Sequence, residues 1–162
     1  ALKAGQIEAA RAAMSRHVGR NLLLAREIAL AEFVSQAEHV KLVKNSLPVL
    51  TARFNDADAD TLRQMADHFR QKHASGVAVL ASVSEGRPML IAVVTDDLIR
   101  RGLNAGELVR FVAAPLGGGG GGKPTLAQAG GKGAARLDEA LAGVIGWVES
   151  KYEDPDRPSR NT

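Results

Sequence analysis

The sequence predicts an α/β fold, a small mixed sheet with flanking helices, preceded by an N-terminal α-helical arm. Three observations predict it. Residues 1–46 contain no proline and repeat apolar side chains at three- and four-residue steps. From Leu47 the pattern changes to short apolar runs separated by turn residues, with one amphipathic stretch between them. Beyond Asn104 helical periodicity returns twice, on either side of a segment that holds nine of the chain's 17 glycines. With 162 residues and 45% hydrophobic content, the chain suffices for one ordinary domain and an appendage.

In the arm, the apolar positions are Ile7, Ala10, Met14, Val18, Leu22, Ala25, Ala29 and Phe33, followed by Val40, Val43 and Leu47. This spacing predicts an amphipathic helix over residues 2–46. Gly19 and Asn21 mark where it would bend or break. Unbroken, it would reach about 65 Å at 1.5 Å per residue. Such an arm cannot bury its own stripe. It must fold back, pack on another domain, or pair with a second copy in coiled-coil fashion.

The α/β domain is expected over residues 47–153 and a disordered, polar, proline-containing tail over 154–162. Leu47 to Asn55 reads as a strand, with Pro48 at its start. Asp56, Asp58 and Asp60 suit a helix start, and Leu62, Met65, Ala66 and Phe69 give that helix its stripe to about His73. Gly76 to Val83 and Met89 to Thr95 are apolar runs joined by Ser-Glu-Gly-Arg-Pro, so they should pair antiparallel. The strand–helix–strand unit before them should be parallel, with a right-handed crossover. Thr95 is placed to cap a short turn closed by Gly102. Asn104 and Glu107 have the spacing of a capping box, and Leu108, Phe111 and Val112 are the expected inner face of the helix they open. Leu137, Leu141, Val144 and Val148 define a last helix, ending near Tyr152.

Composition narrows the function. There is no cysteine, which excludes disulfides and thiolate zinc sites and leads us to expect a cytoplasmic protein. The longest apolar runs are too short to span a membrane, so no membrane partner is expected. The chain opens on Ala1, directly in helical pattern, and reads as a piece of something longer. The net charge is +3, and seven basic against four acidic residues place that excess in residues 1–46. An excess of this size allows an RNA partner without demanding one; a solvated helix face explains it equally well.

The segment from Leu116 to Gly133 reads LGGGGGGKPTLAQAGGKG. Gly117, Gly122 and Lys123 fit the first seven positions of a phosphate-binding P-loop. However, six consecutive glycines satisfy almost any glycine pattern, and Pro124 takes the place of the hydroxyl that would hold magnesium. Nor is the segment a plain linker, because Leu126, Ala127 and Ala129 can add a short strand or pack on the core. An ordered loop over 117–133 is expected, its N–H groups forming a nest for an oxyanion flanked by Lys123 and Lys132.

The glycines, the basic-proline pair and the Ala-Gln pair at fixed offsets closely resemble the signature loop of the DHH-associated domain, in the version found at the C-terminus of alanyl-tRNA synthetases. The order of elements resembles that family across residues 1–152. In its phosphoesterase members a histidine follows the glycine triplet and a separate domain holds the metals. Here that place is Lys123, and the four histidines (His17, His39, His68, His73) all lie outside the loop. The resemblance therefore implies a non-catalytic region without its own metal or cofactor; ATP and zinc are expected only in other domains of the parent ligase.

The resemblance also implies tRNA-Ala as partner, contacts with the remaining synthetase domains, and a homodimer through the arm. It implies a part in positioning tRNA for charging and editing. The alternatives are the substrate-binding half of a phosphoesterase and a purely structural dimerisation module. Non-specific RNA binding needs cations and backbone donors facing phosphates. The candidates are Gly119, Gly120, Gly121, Gly122, Lys123, Gln128, Gly130, Gly131 and Lys132 in the loop. Lys41 with Lys44, at i,i+3, and Arg16 with Arg20, at i,i+4, are candidates on the arm.

Overall fold

The computed structural model of the chain describes residues 3–14, 22–37, 40–44 and 47–152. Two helices come first, α1 (Ala4–Met14) and α2 (Leu22–Ala37). The sequence predicts helix to residue 46. Instead α2 stops at Ala37, and Lys41–Val43 forms an edge strand, β1, antiparallel to β2 (Leu47–Asn55), with Lys41 opposite Val49 and Val43 opposite Leu47. A three-residue strand carries too little sequence to separate a period of two from one of 3.6. Lys41 and Leu42 are exposed, Leu42 by 61%, and only Val43 is buried.

After β2 come α3 (Ala59–Lys72), β3 (Val77–Ser84), β4 (Arg87–Val94), a short α4 (Asp96–Ile99) and α5 (Ala105–Ala113). One 3-10 turn leads to β5 (Gly119–Gly122) and β6 (Leu126–Gly130), and α6 (Leu137–Lys151) closes the fold. The six strands form one mixed sheet in the order β1-β2-β3-β4-β6-β5. β2 and β3 are parallel; every other neighbouring pair is antiparallel. The expected parallel unit and hairpin are therefore both present.

Side chains alternate across the sheet and bury on both faces. Leu50, Phe54, Leu80 and Ile91 pack with Leu62, Met65 and Phe69 of α3. Val49, Val79, Leu90 and Val94 pack with Leu108, Val109 and Val112 of α5 and Val144 and Val148 of α6. Each such side chain contributes about 1.5–3 kcal/mol by leaving water. The arm folds back: Phe33 of α2 lies 6.4 Å from the Phe54 ring and 5.6 Å from the His68 ring. Arg11 of α1 pairs with Glu32 of α2.

Local chemistry sets the element ends. Asp58 caps α3, its Oδ1 accepting from the Thr61 N–H at 2.8 Å. Asn104 caps α5 through the N–H groups of Gly106 and Glu107, the N-cap half of the capping box its spacing predicts, while the Glu107 carboxylate faces Lys151. Buried Thr95 accepts from the Gly76 N–H at 3.0 Å and donates to Asp97 at 2.6 Å, joining the start of β3 to α4. Burial pushes the Asp97 carboxyl up, but hydrogen bonds from Ser75, Thr95 and the backbone outweigh it and hold it low. Tyr152 ends α6, and its carbonyl accepts from Lys44 Nζ at 2.8 Å.

One inner-face position differs from expectation. Phe111 is 43% exposed and lies 6.3 Å from the half-buried Trp147, while Val109 joins Leu108 and Val112 inside. Residue 111 sits at the rim of the stripe, where the ring covers α6 instead of entering the core.

Candidate nucleic-acid interface

The glycine segment is a β-hairpin instead of a nest. Gly117 takes a left-handed conformation that ends the 3-10 turn. Gly119–Gly122 then runs as the edge strand β5 against β6, and Lys123 to Leu126 makes the turn. The turn is tied down on two sides: the Pro124 carbonyl accepts from Ala105 N–H at 2.8 Å, and that of Thr125 from Val94 N–H at 3.0 Å. At the other end, Gly118 N–H donates to Ala113 and Lys132 N–H to Leu116. A nest needs successive amides converging on one point; in a strand they alternate, so the expected cup is replaced by a row.

That row can be oriented from its hydrogen bonds. Lys123 and Leu126 exchange both backbone bonds, at 2.9 and 3.2 Å. Antiparallel pairs alternate, so Gly121 with Gln128 and Gly119 with Gly130 are hydrogen-bonded pairs. Gly120 and Gly122 fall between them and turn their N–H and C=O groups toward the free edge. All four residues of β5 are exposed.

The glycines divide the same way. A Cβ on Gly118 would lie 1.7 Å from the Gly130 oxygen, one on Gly120 2.1 Å from the Gln128 oxygen, and one on Gly122 2.7 Å from the Leu126 oxygen. Each of these atoms is backbone of the β6 side of the hairpin, which cannot rotate aside, so only hydrogen fits at the three positions. A Cβ on Gly119 or Gly121 would meet nothing within 4 Å. Four of the six glycines are thus required by the fold, Gly117 by its left-handed backbone and Gly118, Gly120 and Gly122 by these contacts, while Gly119 and Gly121 leave bare backbone where folding makes no such demand.

Lys123 and Lys132 stand exposed at the two ends of the hairpin, and neither joins an ion pair among the described residues. Gln128 is half-buried on β6. Its Oε1 accepts from Arg63 Nη2 of α3 at 3.3 Å, and its Nε2 is covered without a hydrogen-bond partner. Since a guanidinium only donates, this contact fixes the amide's orientation. Arg63 was not among the sequence candidates. It lies 65 positions from Gln128, and no motif or spacing links the two.

The other candidates lie elsewhere. Lys41 and Lys44 were expected on one helical face; they lie on β1 and in the turn after it, at the opposite edge of the sheet from β5. Lys44 is also engaged, its ammonium bonded to the Tyr152 carbonyl and 5.4 Å from the centre of the ring. Arg16 and Arg20, with the predicted break at Gly19 and Asn21, lie outside the described residues, as do His17, His39 and residues 153–162. Among the described residues no group of His, Asp and Glu could hold a metal ion. Among the described residues no helix is long and apolar enough to cross a membrane.

Residues 46–150 match the DHHA1 domain family. The chain belongs to that family. The chain is 51% identical over 118 residues to an alanine–tRNA ligase of Geobacillus kaustophilus, and 46% identical over 117 residues to one of Dehalococcoides mccartyi. These alignments take in 71% and 72% of this chain but 13% of either ligase. Among solved structures, the C-Ala domain of Aquifex aeolicus alanyl-tRNA synthetase superposes with a TM-score of 0.63 at 28% identity, over 68% of this chain and 97% of that one. A Member of s1p family of ribosomal proteins PF0399 DHH domain shares the fold, with a TM-score of 0.53 at 14% identity, over 78% of this chain and 32% of that one. The DHHA1 fold thus confirms the mixed sheet with flanking helices read from the sequence.

Proposed function

We propose that this chain is the non-catalytic C-terminal module of an alanine–tRNA ligase, and that it binds tRNA-Ala through the free edge of its glycine hairpin. Similarity to the ligases and to a C-Ala domain supports the first part. The observation that carries the second is the outward row of Gly120 and Gly122 backbone groups with an unpaired lysine at each end. RNA phosphates accept from backbone N–H groups and from cations without reading the sequence. A strand without side chains lets a ribose–phosphate chain approach to backbone distance, a reason for Gly119 and Gly121 that the fold itself does not supply.

In this reading the module holds the tRNA while other domains of the ligase, with their ATP and zinc, charge it and edit it. Binding is weak, shape-dependent and sensitive to salt. Replacing Lys123 and Lys132 by alanine and titrating tRNA at several salt concentrations tests it. Loss of two phosphate contacts lowers the log–log salt slope by about 1–2 units; an unchanged slope removes both lysines from the interface.

Self-association through the arm belongs to the same proposal. Val34 of α2 is 50% exposed and leaves part of the apolar stripe uncovered. Sedimentation of the chain over a range of concentrations is expected to show a dimer, and a monomer throughout would discard this part.

A further inference from the structure

Beside the hairpin turn lies an open cleft of about 430 Å³, within the range of about 300–1,000 Å³ that small-molecule sites occupy. Arg70 and His73 line it from the end of α3, Thr95, Asp96 and Arg100 from the α4 segment, and Thr125 from the hairpin turn. We propose that this cleft binds a single ribonucleotide unit, with the phosphate on Arg100 and Arg70 and the ribose diol on Asp96.

The polar groups of the wall divide into spent and available. Thr95 and Asp97 are spent, being bonded to each other and to the start of β3. Arg70 already pairs with Asp67 but keeps 37% of its side chain exposed. Asp96 and Arg100 are both exposed and stand at i,i+4, a spacing that commonly makes an ion pair, yet they make none. The Thr125 hydroxyl and the His73 ring have no hydrogen-bond partner among the described residues. Burial, with the nearby Lys72 charge, lowers the His73 pKa, so near neutral pH one ring nitrogen is free to accept.

This mixture of charges selects the ligand. A bare phosphodiester track would be repelled by Asp96 and Asp97. An uncharged nucleoside would leave the arginines unanswered. A ribonucleotide carries both complements at once: an anion for a planar guanidinium donor, and vicinal hydroxyls that donate to a carboxylate. The 2′-hydroxyl is also what separates RNA from DNA. A free mononucleotide and an unstacked residue of an RNA chain present the same chemistry; the second source rests on the RNA-binding reading above.

The test is titration of the full chain by NMR with the four 5′-ribonucleoside monophosphates, their 2′-deoxy forms, inorganic phosphate, and tRNA. Saturable shifts at His73, Asp96, Arg100 and Thr125 are expected with ribonucleotides, with about tenfold weaker binding of the deoxy forms. Arg100→Ala is expected to weaken the ribonucleotides about tenfold or more, as loss of a charged hydrogen bond does. Asp96→Asn is expected to erase the ribose preference; both positions are exposed, so the melting temperature should not move. Mononucleotide binding with no tRNA binding would uphold the cleft and overturn the RNA reading. A tRNA affinity weakened by Arg100→Ala would point to a residue of the RNA as the occupant. Phosphate binding as tightly as the nucleotides would overturn the proposal. So would an absence of mononucleotide binding together with a tRNA affinity that Arg100→Ala leaves unchanged.

Discussion

Gly120 and Gly121 are adjacent and chemically identical, yet one methyl group should affect them in opposite ways. Gly120→Ala puts a Cβ 2.1 Å from the Gln128 oxygen, a backbone atom that cannot rotate aside. It is expected to cost about 1–3 kcal/mol or more, as overpacking does. Gly121→Ala enters open space and is expected to be neutral, or to stabilise by about 0.4–1 kcal/mol through the unfolded chain. Urea midpoints of the two variants check this, and equal losses would refute the strand register. Asp58 offers a second single-residue test. Its carboxyl is held below its ordinary range by the Thr61 hydroxyl first and the Thr61 N–H next. Asp58→Ala removes the α3 cap and should cost about 1 kcal/mol at neutral pH. Because the folded pKa is the lower one, that contribution is complete above the unfolded value of about 3.9 and fades as pH falls through the folded one. The gap between wild type and variant in urea unfolding should therefore close with acidification.

At the scale of elements, Thr95 shows how much one join matters. Thr95→Val keeps the shape but deprives the buried Gly76 N–H of its acceptor, and a loss of about 1–3 kcal/mol in chemical unfolding is expected. Thr95→Ser, which keeps the hydroxyl, should lose much less. Sequence patterning was most legible where elements are long and buried. Leu47–Asn55 has the predicted bounds, and the next two strands come within two residues of theirs, because runs such as Val77 to Leu80 bury on both faces of the sheet. The cap at Asn104 was legible because a capping side chain acts only two or three residues away, whereas the three aspartates before α3 marked a helix start without showing that Asp58 is its cap. β1 was not legible: it is a strand only because Leu47, Pro48 and Val49 lie across from it. β5 was not legible either, since glycine has no side chain with which to show a period. Its neighbour β6 could be foreseen from Leu126, Ala127 and Ala129, and β5 is its hydrogen-bonded partner.

At the scale of the molecule, the candidate cations separate. A strand spacing of about 4.8 Å puts β1 about 24 Å from β5 across the sheet, so Lys41 cannot share a compact contact with Lys123. Sequence spacing, which sees neighbours along a helix, could not show this, nor could it bring Arg63 to Gln128 through the packing of α3. What it did show was the hairpin segment itself, through the fixed offsets of glycine, lysine-proline and Ala-Gln. An ordered edge of backbone amides that meets RNA leaves its mark in amide hydrogen exchange, which NMR reads residue by residue. In the free chain, Gly119 and Gly121 should be protected by β6 while Gly120 and Gly122 exchange fast. Adding tRNA should slow Gly120 and Gly122 and leave Gly119 and Gly121 as they were. If tRNA binds and the exchange of Gly120 and Gly122 does not change, the edge is not where the RNA lies.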